Sequence, residues 1–138
     1  MSRNRIVRAR TRNVAETSPA ADDPRLVSRR FTISFDDVWY ATLLVASSMP
    51  GWTVGRADDR DGRIEIRAET RLFGFHDDVT VRVWLDTNAI TRVDVRSASR
   101  FGFADFGANA RRVADFYSAL DDQLLRWGKD QALPVRSG

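Results

Sequence analysis

The 138 residues contain no cysteine, one histidine (His76) and one lysine (Lys129). Without thiols there is no disulfide, thiolate nucleophile, iron–sulfur cluster or cysteine zinc site. A single histidine removes the paired-histidine metal motifs, and none lies near enough in sequence to serve Ser97 or Ser99 as a base. Long apolar runs are also missing. The longest, Val38 to Ala46, spans nine residues and includes Thr42, whereas a membrane-crossing helix needs roughly 20 apolar residues. Residues 1–30 lack the apolar stretch of a secretory signal. A cytoplasmic location is therefore expected.

What is present is ordinary for one globular domain: 43% hydrophobic and 30% charged residues. The net charge of +3 hides an asymmetry. Residues 1–30 hold eight arginines against Glu16, Asp22 and Asp23, a net +5, and the remainder is −2. The arginine bias is read as the mark of a GC-rich genome rather than as phosphate binding. Residues 1–29 show little apolar periodicity and are expected to form a disordered, Arg-rich tail. Such a start can touch nucleic acid, anionic lipid or an import receptor, or simply be solvated. Nucleic-acid binding is otherwise not expected.

The folded part, residues 30–128, reads as β-α-β-β-β-β-α. Phe31, Ile33 and Phe35 alternate with polar residues as in a strand. Asp36 or Asp37 is placed to cap a helix that Pro50-Gly51 stops near Met49. Four strands follow: Trp52 to Ala57; one with Ile64, Ile66, Ala68, Thr70 and Leu72 inward; one with Val79, Val81, Val83 and Leu85 inward; and one with Val93 and Val95 inward. Asp58 to Gly62 reads as a hairpin turn. The open sheet face carries Arg67, Arg71, Arg82, Arg92 and Arg96 against Glu65, Glu69 and Asp94, with Trp84 its main aromatic. Val113, Phe116, Tyr117, Leu120, Leu124 and Trp127 form the core stripe of a last helix, ended by Gly128. Residues 129–138 read as a tail. The architecture is an α+β two-layer sandwich, an antiparallel meander with two helices on one face. Its order is similar to TATA-binding-protein-like and helix-grip topologies, an analogy that carries no function.

Chemistry-bearing residues concentrate between Phe75 and Arg112. Asp77 and Asp78 fall at the turn between the second and third meander strands; as neighbours they point to opposite faces, so they are not a catalytic pair. One can bond the turn while the other meets an arginine. Period 2 puts Arg96 and Arg100 on one face, as a possible clamp for a carboxylate or phosphate, and Ser97 and Ser99 on the other. Asp105, Asn109 and Arg112 share a helix side if the helix begins near Asp105; if it begins later, Asn109 is the N-cap. These groups either hold a small anion at the helix N-terminus or saturate one another.

Phe75-x-Asp77-Asp78, Val95-Arg96-Ser97-Ala98-Ser99-Arg100 and Asp105-x-Gly107-x-Asn109-x-x-Arg112 together resemble the domain-of-unknown-function family 1499, over about residues 31–127. The resemblance implies a small bacterial or plastid domain, often attached to the envelope and without an assigned activity or catalytic residue. Relatives often carry an N-terminal cysteine-containing segment, a lipoprotein signal or membrane helices. This sequence has none of these, so peripheral association is the form envelope attachment would take here.

The expected function is a non-enzymatic ligand-binding or protein-interaction module. Its candidate ligand-binding residues are Asp77, Asp78, Arg96, Ser97, Ser99, Arg100, Asp105, Asn109 and Arg112. No catalytic residue, metal or cofactor is expected, and the partner is a small anion or a protein. The alternative is a carboxylate- or metal-dependent hydrolase using Asp77 or Asp78.

Overall fold

The computed structural model describes residues 13–70, 75–100 and 106–137, with residues 129–137 described by their backbone alone. The strands are β1 (Val14–Glu16), β2 (Arg29–Phe31), β3 (Trp52–Asp58), β4 (Arg63–Glu69), β5 (His76–Leu85) and β6 (Thr91–Ser99). The helices are α1 (Phe35–Ser48) and α2 (Phe106–Ser137). The antiparallel sheet runs β1-β6-β5-β4-β3, and β2 pairs with β6 beyond the end of β1. Both helices pack on one face, so the α+β two-layer sandwich stands.

Alternation builds the core. Ile64, Ile66 and Ala68 from β4, Val79, Val81 and Val83 from β5, and Val93 and Val95 from β6 are all buried. They meet Val38, Ala41 and Val45 of α1 and Val113, Phe116, Tyr117, Leu120 and Leu124 of α2. Full burial of each large side chain contributes about 1.5–3 kcal/mol. Trp52 stacks on Phe116 with ring centroids 5.5 Å apart. The Tyr117 hydroxyl, buried with its ring, donates to the Val93 carbonyl at 2.7 Å, so its polar tip is satisfied. Burial pushes this phenol's pKa well above its ordinary value.

Local signals explain the boundaries, with four differences from the sequence reading. The strand read at Phe31, Ile33 and Phe35 is Arg29–Phe31, and Phe35 already belongs to α1. Ser34, not Asp36 or Asp37, caps α1: its side chain accepts from the Asp37 N–H at 3.3 Å. The two aspartates sit in the first turn, where they favour the helix dipole without filling the cap. Leu85, expected inward, is 61% exposed. It is the last residue of β5. Gly128 does not end α2, which continues through Ser137, so no separate tail starts at 129. A Cβ at Gly128 would meet nothing within 4 Å. One glycine costs an exposed helix only about 1 kcal/mol, which is too little to stop it.

The β3–β4 hairpin is as expected. Asp58 Oδ1 accepts from the Arg60 and Asp61 N–H groups at 3.0 and 3.3 Å, and Gly62 takes φ +65°. A Cβ at Gly62 would run into the Val83 carbonyl oxygen, so glycine is required there by contact as well as by conformation.

The largest correction concerns the expected disordered stretch, residues 1–29. Within it, residues 13–29 are part of the fold. β1 pairs with β6 through Val14–Ala98, Ala15–Ser97 and Glu16–Arg96. A short helical turn, Pro24–Leu26, puts Leu26 into the core, and Ala15 is fully buried. These anchors are single residues on three-residue elements, too short to show periodicity. They are ordered because they cover the open edge of β6. Residues 1–12 lie outside the described residues.

Candidate functional site

β5 and β6 run side by side, with Asp77 opposite Ser99 and Asp78 opposite Ala98. Asp77 and Asp78 therefore belong to a strand, not to the turn before it. The continuous pairing of β4 with β5 back to Glu69–His76 carries them into the ladder. The pleat sends neighbouring side chains to opposite faces. Asp77, Ser97 and Ser99 turn toward α2, whereas Asp78 turns to the open face beside Arg100.

On the helix side α2 begins at Phe106, so Asn109 lies in its first turn and is not the N-cap. Asn109 and Arg112 are one turn apart on the face that continues into Val113 and Phe116. The Asn109 side chain is fully buried, and all its hydrogen-bonding capacity is used. Its Oδ1 accepts from Ser97 Oγ at 2.8 Å and from Arg112 Nη1 at 2.8 Å. Its Nδ2 donates to Ser99 Oγ at 2.9 Å and to the Asn13 carbonyl at 3.2 Å. Arg112 Nη1 also donates to Asp77 Oδ2 at 2.7 Å and to Ser97 Oγ at 2.9 Å. This network joins β5, β6, α2 and the segment leading into β1, whose Asn13 carbonyl also accepts from the Ser99 N–H at 2.8 Å.

The open face holds a different pair. Arg100 grips Asp78 with both arms of its fork, Nε to Oδ2 at 3.0 Å and Nη2 to Oδ1 at 2.9 Å. These hydrogen bonds hold the Asp78 carboxyl below its ordinary pKa against a smaller opposing effect of burial. Both side chains remain solvated, at 43% and 49% exposure, against 16% and 10% for Arg112 and Asp77. Arg96 shares that face with Arg100 but forms no clamp with it: its Nε lies 4.0 Å from Glu16 Oε2 on β1.

Of the nine candidate positions, Asp77, Ser97, Ser99, Asn109 and Arg112 meet in one cluster. Asp78 and Arg100 form a separate pair, Arg96 stands apart, and Asp105 lies outside the described residues. Among the described residues no three His, Cys, Asp or Glu side chains converge as metal ligands. Likewise, no described helix is long and apolar enough to cross a membrane. A polar recess of about 170 Å³ lies at the other end of β4, lined by Arg56, Asp58, Asp61, Arg63 and Glu65.

A family model described as protein of unknown function (DUF1499) matches residues 5–120. The chain belongs to the DUF1499 family. No curated protein matches it. The match begins far upstream of Arg30, in keeping with a DUF1499 fold that includes β1.

Sequence reasoning missed a second hub in this DUF1499 chain. Asp94 Oδ1 accepts from Thr17 Oγ1 at 2.8 Å and from Ser28 Oγ, and Oδ2 accepts from Trp84 Nε1 at 3.1 Å and Arg92 Nε at 2.7 Å. Burial disfavours the Asp94 charge, but the bonds from Ser28, Thr17 and Arg92 outweigh it and hold its pKa below the ordinary value. Thr17 and Ser28 are 77 and 66 residues away in sequence. The only available signal was the acidic residue itself on an otherwise Arg-rich strand face.

Proposed function

We propose that this DUF1499 chain is a non-enzymatic protein-interaction module, and that the Asp77–Ser97–Ser99–Asn109–Arg112 cluster is its structural lock. The observation that carries this reading is the saturation of Asn109. With its two acceptor and two donor positions filled by protein groups, the centre of the cluster has no capacity left for a ligand. A half-satisfied buried network would be costly, and a fully satisfied one fixes a single arrangement. The lock joins the ends of β5 and β6 to the first turn of α2 and ties in the chain at Asn13.

The hydrolase reading finds less support. Asp77 and Asp78 face opposite sides of the sheet and each already holds its own arginine, so they cannot act on one substrate or share one ion. The serines of the cluster bond to Asn109 and Arg112, neither of which is a base.

The test is thermal melting of wild type, Arg100→Ala and Arg112→Ala with a panel of small anions and divalent metals. A ligand at ~100 times its dissociation constant stabilises by about 2.7 kcal/mol, several degrees for a domain of this size. The lock reading expects no response in wild type, a far lower melt for Arg112→Ala and a nearly unchanged one for Arg100→Ala. A compound that raises the wild-type melt would overturn the lock reading, and loss of that response in a folded Arg100→Ala would place the ligand at the Asp78–Arg100 pair on the open face.

A further inference from the structure

If the junction is locked, the interaction surface lies elsewhere, and the open sheet face has an unusual corner. Arg63 on β4 is directly opposite Arg82 on β5, and Arg30 on β2 is directly opposite Arg92 on β6. Like charges directly opposite each other on one face destabilise a sheet. Trp84 stands between these two pairs, opposite Arg92. The guanidiniums of Arg82 and Arg92 lie 4.8 and 4.1 Å from its ring centroid.

The carboxylates nearby are already engaged. Arg63 reaches Glu65 at 3.5 Å and Arg30 reaches Asp86 at 3.1 Å. Asp94 is directly opposite Arg82 in the ladder, yet Thr17, Ser28, Trp84 and Arg92 fill its acceptor positions. Among the described residues, Arg82 therefore has no carboxylate within ion-pair distance, only the indole face. Beside it on the same face Trp84 is 36% exposed. Arginine and tryptophan are the residues most often found as interface anchors.

We propose that this corner docks an acidic peptide segment of a partner protein, with a carboxylate held between Arg82 and Arg63 and its aliphatic part beside Trp84. The guanidinium fork matches a carboxylate in geometry as well as in charge. An acidic peptide fits better than a nucleic-acid strand. The one outward indole already carries two guanidiniums, and a single-stranded nucleic acid needs a run of free aromatic platforms. The proposal rests on the interaction-module reading and names its surface.

The experiment is fluorescence anisotropy of a labelled Asp/Glu-rich dodecapeptide with the full chain. The variants are Arg82→Ala, Arg82→Glu and Trp84→Phe, with the exposed α2 residue Arg111→Ala as control. All share the same Arg-rich N-terminus, so its background attraction cancels between them. Arg82→Ala is expected to weaken binding about three- to fivefold, the scale of one exposed charge pair. Arg82→Glu should weaken it more, Trp84→Phe less, and Arg111→Ala should match wild type. Thermal melts of each variant report folding separately, and loss of binding in a variant that melts like wild type locates the site.

Peptide binding that is indifferent to Arg82 and Trp84 would overturn this surface while leaving an interaction module intact. No peptide binding at all would overturn the proposal, as would an oligonucleotide that binds through Arg82 where the peptide does not. None of these three results touches the lock, which the anion and metal melts test independently.

Discussion

Asp77 and Asp78 are adjacent in sequence, each bonded to an arginine, and physically they have little in common. Asp77 faces the helix layer, nearly buried, within a network in which Arg112 bonds both it and the saturated Asn109. Asp78 faces the open side, gripped by Arg100 but half in water. One step along a strand exchanges low dielectric for solvent, so the same ion pair is held tightly on one face and screened on the other. A charged motif is therefore not a unit of function: its members must be sorted by face before any is assigned a role.

Several substitutions sharpen or break that contrast. The largest effect is expected for Asn109→Ala, which removes at once the buried hydrogen bonds to both serines, Arg112 and the Asn13 carbonyl. The loss is about 3–4 kcal/mol, measured by urea unfolding with the m-value unchanged. Arg112→Ala comes next at about 3 kcal/mol, or roughly 10 °C in Tm, because it leaves Asp77 buried and unpaired. Replacing both partners, Asp77→Leu with Arg112→Met, should recover most of that loss, since the cost lies in the orphaned charge. If the double variant is no better than the single, the pair contributes more than charge compensation.

Asp94 tests the middle ground, on the open face yet half-buried. Its folded-state pKa is depressed, so its contribution is fully present above the ordinary carboxylate pKa and is lost as pH falls through the folded value. Asp94→Asn should therefore be less stable than wild type by about 1–2 kcal/mol at neutral pH, with the gap closing in acid. A gap that does not change with pH would assign the stabilisation to shape and neutral hydrogen bonds rather than to charge. The smallest effect is expected for Arg100→Ala: a shift in Tm within about 2 °C that shrinks further in high salt. A large drop there would erase the distinction between the two faces.

Much of this was legible because it depends on local periodicity. Ile64-Ile66-Ala68, Val79-Val81-Val83 and the stripe from Val113 to Trp127 announce their faces, and strand alternation already separates Asp77 from Asp78. The motif residues Ser97, Ser99, Asn109 and Arg112 were also recognisable as a group. Their partners were not. Arg96 and Arg100 share a face as the alternation says, yet each turns to its own carboxylate, because Glu16 and Asp78 are brought beside them by pairing from different strands. Asn13 enters the lock through its carbonyl, and no side-chain pattern can signal a backbone acceptor.

The chain's own order of apolar and polar residues determined the four meander strands, the two helices, their inward faces and the absence of thiol chemistry. Those properties follow from backbone geometry acting over a few residues. Only the tertiary structure decided that residues 13–29 complete the sheet at β6, that Asp94 is a hub, that Asn109 is saturated and that Arg82 is left without a carboxylate. Each of these depends on contacts between residues far apart in sequence, where hydrogen-bond capacity and burial are apportioned only once the layers have packed.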